Sequence, residues 1–168
     1  MDPDSTWQLI TLIILLLLSS FFSASETALM SLNKLRVRHM IDEEVKGSEL
    51  LGKLVEKPSK LLSAILIGNN VVNIAASALA TSLAITYFGD KGVGVATGIM
   101  TILVLIFGEI TPKSIAASNP EKVSLKVAKP IYFTTVILRP LTVVFVALTN
   151  KIVGIFGVKA SIDRKSVV

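Results

Sequence analysis

The sequence lacks cysteine, has a single histidine and is poor in aromatic residues, which make up 6% of its 168 residues. Without cysteine the chain cannot form disulfides, thiolate metal sites or a cysteine nucleophile. The one imidazole, His39, lies in a basic loop and is interpreted as a surface residue. A metal site in this chain would therefore use oxygen ligands, which disfavours zinc and copper.

The sequence also lacks the short motifs of membrane-embedded enzymes. It contains no HExxH or GxSG motif and no paired aspartates in its apolar runs, so we expect no enzymatic activity. The net charge of +5 is basic, but the basic residues flank apolar runs and no set of stacking aromatics accompanies them. Nucleic-acid binding is therefore not expected.

Long hydrophobic runs dominate the sequence. Hydrophobic residues make up 52% of the chain, and the mean hydropathy is +0.71. Three runs, at about 7–32, 61–88 and 92–117, each have the length of roughly 20 residues that a helix needs to cross a bilayer. The first run follows Asp2 and Asp4 and has no clear cleavage site, so we interpret it as a retained span. The sequence predicts an all-α membrane protein with one transmembrane domain over residues 1–158.

The segments outside these runs are amphipathic or broken. Residues 33–60 are charged and predict a cytoplasmic helical segment. Residues 125–158 are largely apolar, but Arg139-Pro140 interrupts them, and an arginine at the bilayer centre is costly. This favours belt helices at the membrane interface, while a fourth span is the alternative. Residues 159–168 are predicted to be a linker or tail.

Charge placement predicts the orientation. Lysine and arginine are absent before the first run, abundant between the first and second, and represented only by Lys91 between the second and third. The positive-inside rule then places the N-terminus outside the cell membrane and the C-terminus in the cytoplasm. Trp7 and Tyr87 fall at the predicted outer ends, where interfacial aromatic residues are common.

The third run ends in "GEITP", which places a carboxylate in an apolar helix. Pro112 has no N–H, so in an α-helix the carbonyl of Gly108 loses its hydrogen-bond donor. A free carbonyl beside the carboxylate of Glu109 offers two hard oxygen ligands of the kind that a divalent or sodium cation needs. The alternative is a plain proline kink, with Glu109 reaching toward water.

The first run carries serines on one helical face. Ser19 and Ser23 are four residues apart, Glu26 lies seven residues after Ser19, and Ser20 and Ser25 point elsewhere. These residues are candidate ligands, with Glu26 on the ion pathway. Alternatively, the serines permit close helix packing or bond to their own backbone, and Glu26 contacts the cytosol.

The second run contains "IGNNVVN", in which Gly68, Asn69, Asn70 and Asn73 are poor helix formers. We expect a local unwinding that exposes carbonyls and turns amide oxygens inward, as in the broken helices of transporters. Interhelical hydrogen bonding is the alternative. With a rise of about 1.5 Å per residue, the polar groups of all three runs fall between the midplane and the inner face. This agreement predicts an oxygen-only cation site with Glu109 as its charged member.

Small residues predict how the spans associate. Gly94 and Gly98 form a GxxxG pair, and Ala76, Ala80 and Ala84 recur every four residues. Such faces allow close helix approach in a membrane, so a homodimer packed through them is expected.

Three motifs, "SSFFSASETALMSL", "LLSAILIGNNVVNI" and "IFGEITPKSIA", resemble in this order the membrane domain of the cyclin-M/CorC family of magnesium transporters. The resemblance covers nearly the whole chain. It implies a homodimer in which each subunit has three spans and a juxtamembrane belt helix. The ion-site positions that it implies are Ser19, Ser23, Asn70, Gly108 and Glu109, with Gly68, Asn69 and Asn73 as further positions.

The resemblance also implies a function, which is Mg2+ export driven by Na+ entry. A Mg2+-sensing membrane anchor without transport and a cation channel are the alternatives. Family members normally continue into cytosolic CBS modules, which bind nucleotides. This chain ends before such modules, so we expect an isolated membrane domain.

Overall fold

Nearly all of the chain between residues 3 and 155, the part described by this computed structural model, is helical. The helices are α1 (Pro3–Ser31), α2 (Lys34–Asp42), α3 (Ser48–Val55), α4 (Pro58–Phe88), α5 (Gly92–Leu103), α6 (Thr111–Ser118), α7 (Pro120–Ile137) and α8 (Arg139–Ile155). A π-helical segment, Val104–Ile110, joins α5 to α6, and a short 3-10 turn joins α4 to α5. No strand occurs in residues 3–155, which confirms the all-α prediction.

Three helical stretches are long and apolar enough to cross a membrane: Thr6–Ser31, Pro58–Phe88 and Gly92–Ser118. The last of these, called the third span below, comprises α5, the π segment and α6. These stretches coincide with the three predicted runs to within a few residues. Their large apolar side chains, such as Leu17, Ile74 and Ile102, are largely exposed. Exposed side chains of this kind are suited to contact with lipid.

The main hydrophobic core lies where the short amphipathic helices pack around one end of the long ones. Its buried members come from α1, α2, α3, α4 and α7 and include Phe22, Leu29, Val37, Met40, Leu51, Leu54, Leu61, Ile65, Val127, Ala128 and Ile131. The periodicity of α7 explains its place, since Ser124, Val127, Ala128 and Ile131 recur at helical spacing. This base fixes the positions of α1 and α4, which carry much of the candidate site.

An ion pair on the surface joins α2 to α7 at this base. The guanidinium of Arg36 donates to both carboxylate oxygens of Glu121, at 2.7 and 3.0 Å. The hydrogen bond from Arg36 holds the pKa of Glu121 below its usual value. Both side chains are nearly half exposed, so the pair orients two helices and contributes little stability by itself.

The predicted belt region is two helices rather than one. Helix α7 ends at Ile137, Leu138 forms a turn, and α8 starts at Arg139-Pro140 with a bend of 67°. The break falls at the Arg-Pro step because proline cannot continue the backbone hydrogen bonding of the preceding turn. Taken together, the two helices have the length and hydropathy of a broken span. The interfacial placement therefore stays a prediction, and residues 156–168, including the predicted tail, lie outside the described residues.

The alanine stripe does not form a free face for a partner, contrary to the prediction. Ala76, Ala80 and Ala84 are buried within the chain, and the first two pack with Met100 of α5. The small side chains allow α4 to pack closely against α5, which follows it after a short turn. Gly94 and Gly98 have open space beside them, so their predicted role in a dimer is untested.

The predicted unwinding of the second span is also wrong. Helix α4 is continuous from Pro58 to Phe88 through Gly68, Asn69 and Asn70. Tertiary contacts replace the unwinding: the ring of Phe22 covers Gly68, and Ser19 of α1 donates to the Asn69 amide oxygen. Packing against α1 therefore overrides the weak intrinsic helix propensity of this segment.

Candidate functional site

Helix α1 lies parallel to the third span with a fixed register. The hydroxyl of Ser20 donates to the carbonyl of Phe107, and six residues further along both helices Lys113 pairs with Glu26. The same sequence offset of 87 residues separates both pairs. At about 1.5 Å per residue, the two contacts are roughly 9 Å apart along the helices. The polar face of α1 is thereby aligned with "GEITP".

The backbone of the third span departs from α-helical geometry at this motif. Residues Val104–Ile110 form a π-helix, and the N–H of Thr111 bonds to the carbonyl of Ile106, five residues earlier. In this i→i−5 register, residue 112 would donate to the carbonyl of Phe107. Because Pro112 has no N–H, the carbonyl of Phe107, and not that of Gly108, lacks its backbone donor. The hydroxyl of Ser20 supplies that donor. The predicted identity of the freed carbonyl is therefore corrected by one residue, because the π-helix adds a residue to the turn.

Three predicted residues from three helices meet at one level. Ser19 is fully buried, and its hydroxyl donates to the side-chain oxygen of Asn69 at 3.4 Å. A Cβ placed on Gly108 would lie 2.8 Å from the same hydroxyl oxygen, so any other residue at this position would displace that hydroxyl. The 3.4 Å hydrogen bond is long for a hydroxyl donor and is correspondingly weak. Oxygen atoms held this loosely can turn toward a bound cation.

Two further predicted oxygens are buried without a hydrogen-bond partner within the described part of the chain: the Ser23 hydroxyl and the Asn73 side-chain oxygen. Helix α4 is antiparallel to α1, since Ser19 contacts Asn69 while Phe22 contacts Gly68. Ser23 and Asn73 therefore stand on opposite sides of the Ser19–Asn69 layer. Leaving a buried polar atom unpaired costs about 1–3 kcal/mol, so these atoms have the capacity to bind a further partner such as an ion or water.

The remaining predicted residues lie around this layer. Glu109 directly follows Gly108 and is partly buried. Gly68 is buried against the Phe22 ring, so it permits packing and has no side chain to offer. Asn70 is exposed on α4, beside the exposed side chain of Val71, so the structure does not bring it to the layer. Pro112 is buried at the end of the π segment.

The structure adds residues that the sequence did not indicate. Ser20 lay on a different face from Ser19 in the predicted helix, but that face meets the third span. Phe107 takes part through its backbone carbonyl, which a pattern of side chains in the sequence cannot indicate. Lys113 could have been found, because it follows Glu109 by four residues and therefore shares its helical face.

Acidic residues are scarce around the layer. In the described residues, no group of three or more His, Asp or Glu side chains is placed to hold a metal ion. The oxygens that a cation at this level would meet are mainly neutral hydroxyl and amide oxygens. Glu26 lies three residues beyond Ser23 on α1, and its side chain is 24% exposed. This donor set suits hard cations and disfavours metals that prefer imidazole or thiolate.

Fold and site together define a class of protein: a helical membrane protein with three candidate spans and buried neutral oxygens on its long helices. The chain matches the family model of the cyclin M transmembrane N-terminal domain over residues 10–167, and it belongs to that family. The family match confirms the resemblance seen in the three sequence motifs.

Curated relatives are similar over most of the chain. It is 44% identical over 156 residues to a UPF0053 protein of Haemophilus influenzae, covering 93% of this chain and 37% of that protein. It is 41% identical over 145 residues to the UPF0053 inner membrane protein YfjD of Escherichia coli, covering 86% and 34%. The chain thus spans about a third of the length of these two relatives. A more distant relative in Salmonella typhimurium, 26% identical over 86% of this chain and 35% of its own length, is named polyamine export protein.

Proposed function

We propose that this chain carries Mg2+ across a membrane, and that it exports Mg2+ in exchange for Na+ entry. The observation that carries the proposal is the layer of Ser19, Asn69 and Gly108 with unpaired buried oxygens, of Ser23 and Asn73, on either side of it. Buried oxygens with unmet hydrogen-bonding capacity can replace part of the water shell of a hard cation. No enzymatic activity is proposed.

Glu109 supplies the charge that this site needs. Mg2+ gives up its water reluctantly, and neutral oxygens alone would compensate poorly for the lost hydration. One carboxylate beside the neutral donors lowers that cost while leaving a residual positive charge on the loaded site. A partly charged site of this kind holds the ion and still releases it.

The remaining parts of the proposal concern placement and assembly. Lysine and arginine distribution favours an outside N-terminus and a cytoplasmic C-terminus. We expect α7 and α8 to lie as a belt at the cytoplasmic interface of the bilayer. Homodimerisation is proposed through the face that carries Gly94 and Gly98, which has open space beside it in the single chain. Cytosolic CBS modules would be partners in a longer chain.

A polyamine is the second candidate substrate. One relative is named polyamine export protein. In addition, the ammonium group of Lys113 lies 3.3 Å from the Glu26 carboxylate, so a primary ammonium already occupies a carboxylate close to the site. An amine substrate would use the same carboxylate chemistry, with hydroxyl and amide oxygens accepting its N–H groups.

Flux measurements test the proposal. The protein is reconstituted in sealed liposomes, and Mg2+ movement is followed with and without an opposing Na+ gradient. We expect Mg2+ flux that the Na+ gradient accelerates. Flux that is unaffected by Na+ would remove the coupling and favour a channel. Mg2+ binding without any flux would leave a sensing anchor, while inhibition of Mg2+ flux by spermidine, together with spermidine uptake, would favour the polyamine.

A further inference from the structure

A charged pair lies directly beyond the candidate cation site on two helices. Nζ of Lys113 is 3.3 Å from Oε2 of Glu26. Glu26 follows Ser23 by three residues on α1, and Lys113 follows Glu109 by four residues on the third span. Residues three or four apart share a helical face. Both members of the pair therefore stand next to site residues, at the end of the site nearer the C-termini of these helices.

The pair is sheltered but remains accessible. The side chain of Glu26 is 24% exposed and that of Lys113 is 43% exposed. The ammonium neutralises the carboxylate, so the Glu26–Lys113 pair carries no net charge while it is intact. A cation that moves between the site and that end of the helices passes a carboxylate that is already occupied by a positive group.

We propose that Lys113 is a tethered counter-cation. Its ammonium binds the Glu26 carboxylate when no ion is beside that carboxylate, and a passing cation must displace the ammonium. Lys113 is in this sense a positioning residue that acts on the ion through Glu26. The inference rests on the proposed cation site and adds the group that competes with the transported ion at its entrance.

The pair predicts opposite changes in cation affinity when the ammonium or the carboxylate is removed. Removing the ammonium exposes an unpaired carboxylate, which attracts a cation and retains it. Removing the carboxylate leaves an unpaired ammonium, which repels a cation from the entrance. Removing both charged groups again leaves no net charge at the position of the pair. A salt bridge that only holds two helices together would instead lower thermal stability in both single variants, without shifting ion affinity in opposite directions.

Calorimetric Mg2+ titration of the purified protein and three variants tests these signs. Lys113→Met should bind Mg2+ about three- to tenfold more tightly, and Glu26→Gln about three- to tenfold more weakly, as expected for one unit charge acting at roughly 10 Å on a divalent ion in a partly solvated site. The double variant should bind within about twofold of the parent. In liposomes, Lys113→Met should transport more slowly because Glu26 retains the ion.

Two controls separate charge from structure. Lys113→Arg keeps the positive group and should bind Mg2+ like the parent. Arg36→Gln breaks the ion pair between α2 and α7, which lies away from the site, and should leave Mg2+ affinity unchanged. Melting curves of every variant report whether the fold is intact. If Lys113→Met does not fold, the Glu26→Gln titration decides, since its affinity must fall.

The outcomes distinguish this inference from the proposed function. A parent that binds Mg2+, with both single variants unchanged or shifted in the same direction, overturns the role of Lys113 and leaves the cation site in place. A parent that binds neither Mg2+ nor spermidine overturns the cation site and this inference together.

Discussion

A Cβ atom on Gly108 would lie 2.8 Å from the hydroxyl oxygen of Ser19, so a side chain at this position would displace that hydroxyl where α1 meets the third span. The contact links the first predicted ligand group to the third. It also gives a reason for a glycine in "GEITP", because α1 and the third span approach each other closely at this residue. The glycine therefore serves the geometry of the site, in addition to any role of its carbonyl.

Gly108→Ala should disrupt this contact. The added methyl group displaces the Ser19 hydroxyl and breaks its hydrogen bond to Asn69, while the fold loses only about 1–3 kcal/mol, as is typical for an overpacked site. We expect Mg2+ affinity to fall by about tenfold or more with the melting temperature only modestly lowered. Ala117→Val, which adds side-chain volume at an exposed position of the third span, is the control. Equal Mg2+ affinity in both variants would contradict a site at Ser19.

Gly68→Ala should act on stability more than on binding. The new Cβ would lie 2.7 and 2.8 Å from two ring atoms of Phe22, which is a rigid neighbour in the main core. We expect a loss of about 1–3 kcal/mol, measured by chemical unfolding in detergent. Phe22→Leu should be partly compensatory in the Gly68→Ala background. Additive losses in the double variant would show that the ring is not the obstacle.

Glu109→Gln tests the charged member of the site. The substitution keeps the size and one oxygen but removes the charge that offsets Mg2+ dehydration. We expect Mg2+ binding and transport to drop by roughly tenfold or more, with the folded state retained. Melting temperature without Mg2+ should be unchanged or higher, since a partly buried carboxylate is removed. Glu56→Gln, at an exposed position, is the control, and parental Mg2+ binding by Glu109→Gln would refute the site.

Pro112→Ala restores an N–H at the end of the π segment. The carbonyl of Phe107 could then find a backbone donor, and its bond from Ser20 would become redundant. We expect Ser20→Ala to cost about 1 kcal/mol in the parent and less in the Pro112→Ala background. Mg2+ affinity should weaken in Pro112→Ala because the Ser20 hydroxyl is no longer needed by Phe107, which loosens the alignment of α1 with the third span. The same cost of Ser20→Ala in both backgrounds would mean that proline does not create the free carbonyl.

The Arg36–Glu121 pair predicts a small dependence of stability on pH. Arg36 lowers the pKa of Glu121 in the folded protein, so the pair contributes stability above the unfolded pKa of a glutamate, about 4.3. That contribution is lost as pH falls through the lower folded pKa. The melting temperature of the parent should exceed that of Glu121→Gln at pH 7, and the difference should disappear in strong acid. A difference that persists at low pH, or that high salt leaves unaltered, would contradict this assignment.

Much of the architecture could be predicted from the sequence. Hydropathy sets the three long helices, because a run of apolar residues of this length has few other stable environments. The residue types restrict a metal site to oxygen ligands. Helical spacing picks out Ser19, and the run of polar residues in an apolar segment picks out Asn69; the structure brings both together with Gly108. Amphipathic periodicity likewise predicts the short helices that cover the base of the long ones.

Tertiary structure decided the features that depend on which helix faces which. Poor helix formers at Gly68 and Asn69 indicated a broken helix, but packing against Phe22 and Ser19 keeps α4 intact. The alanine stripe could serve any close neighbour, and it serves the adjacent α5. Small residues and weak propensities are local properties that do not specify a partner.

The backbone register of the third span likewise could not be obtained from the sequence. Pro112 frees a carbonyl in either helical register, and only the π-helix assigns that carbonyl to Phe107 and pairs it with Ser20. The same parallel alignment brings Lys113 to Glu26. Sequence therefore determined the spans and the chemistry of the ligands. The packing of α1 on the third span determined which oxygens and charges meet, because an interhelical register is set by contacts between distant parts of the chain.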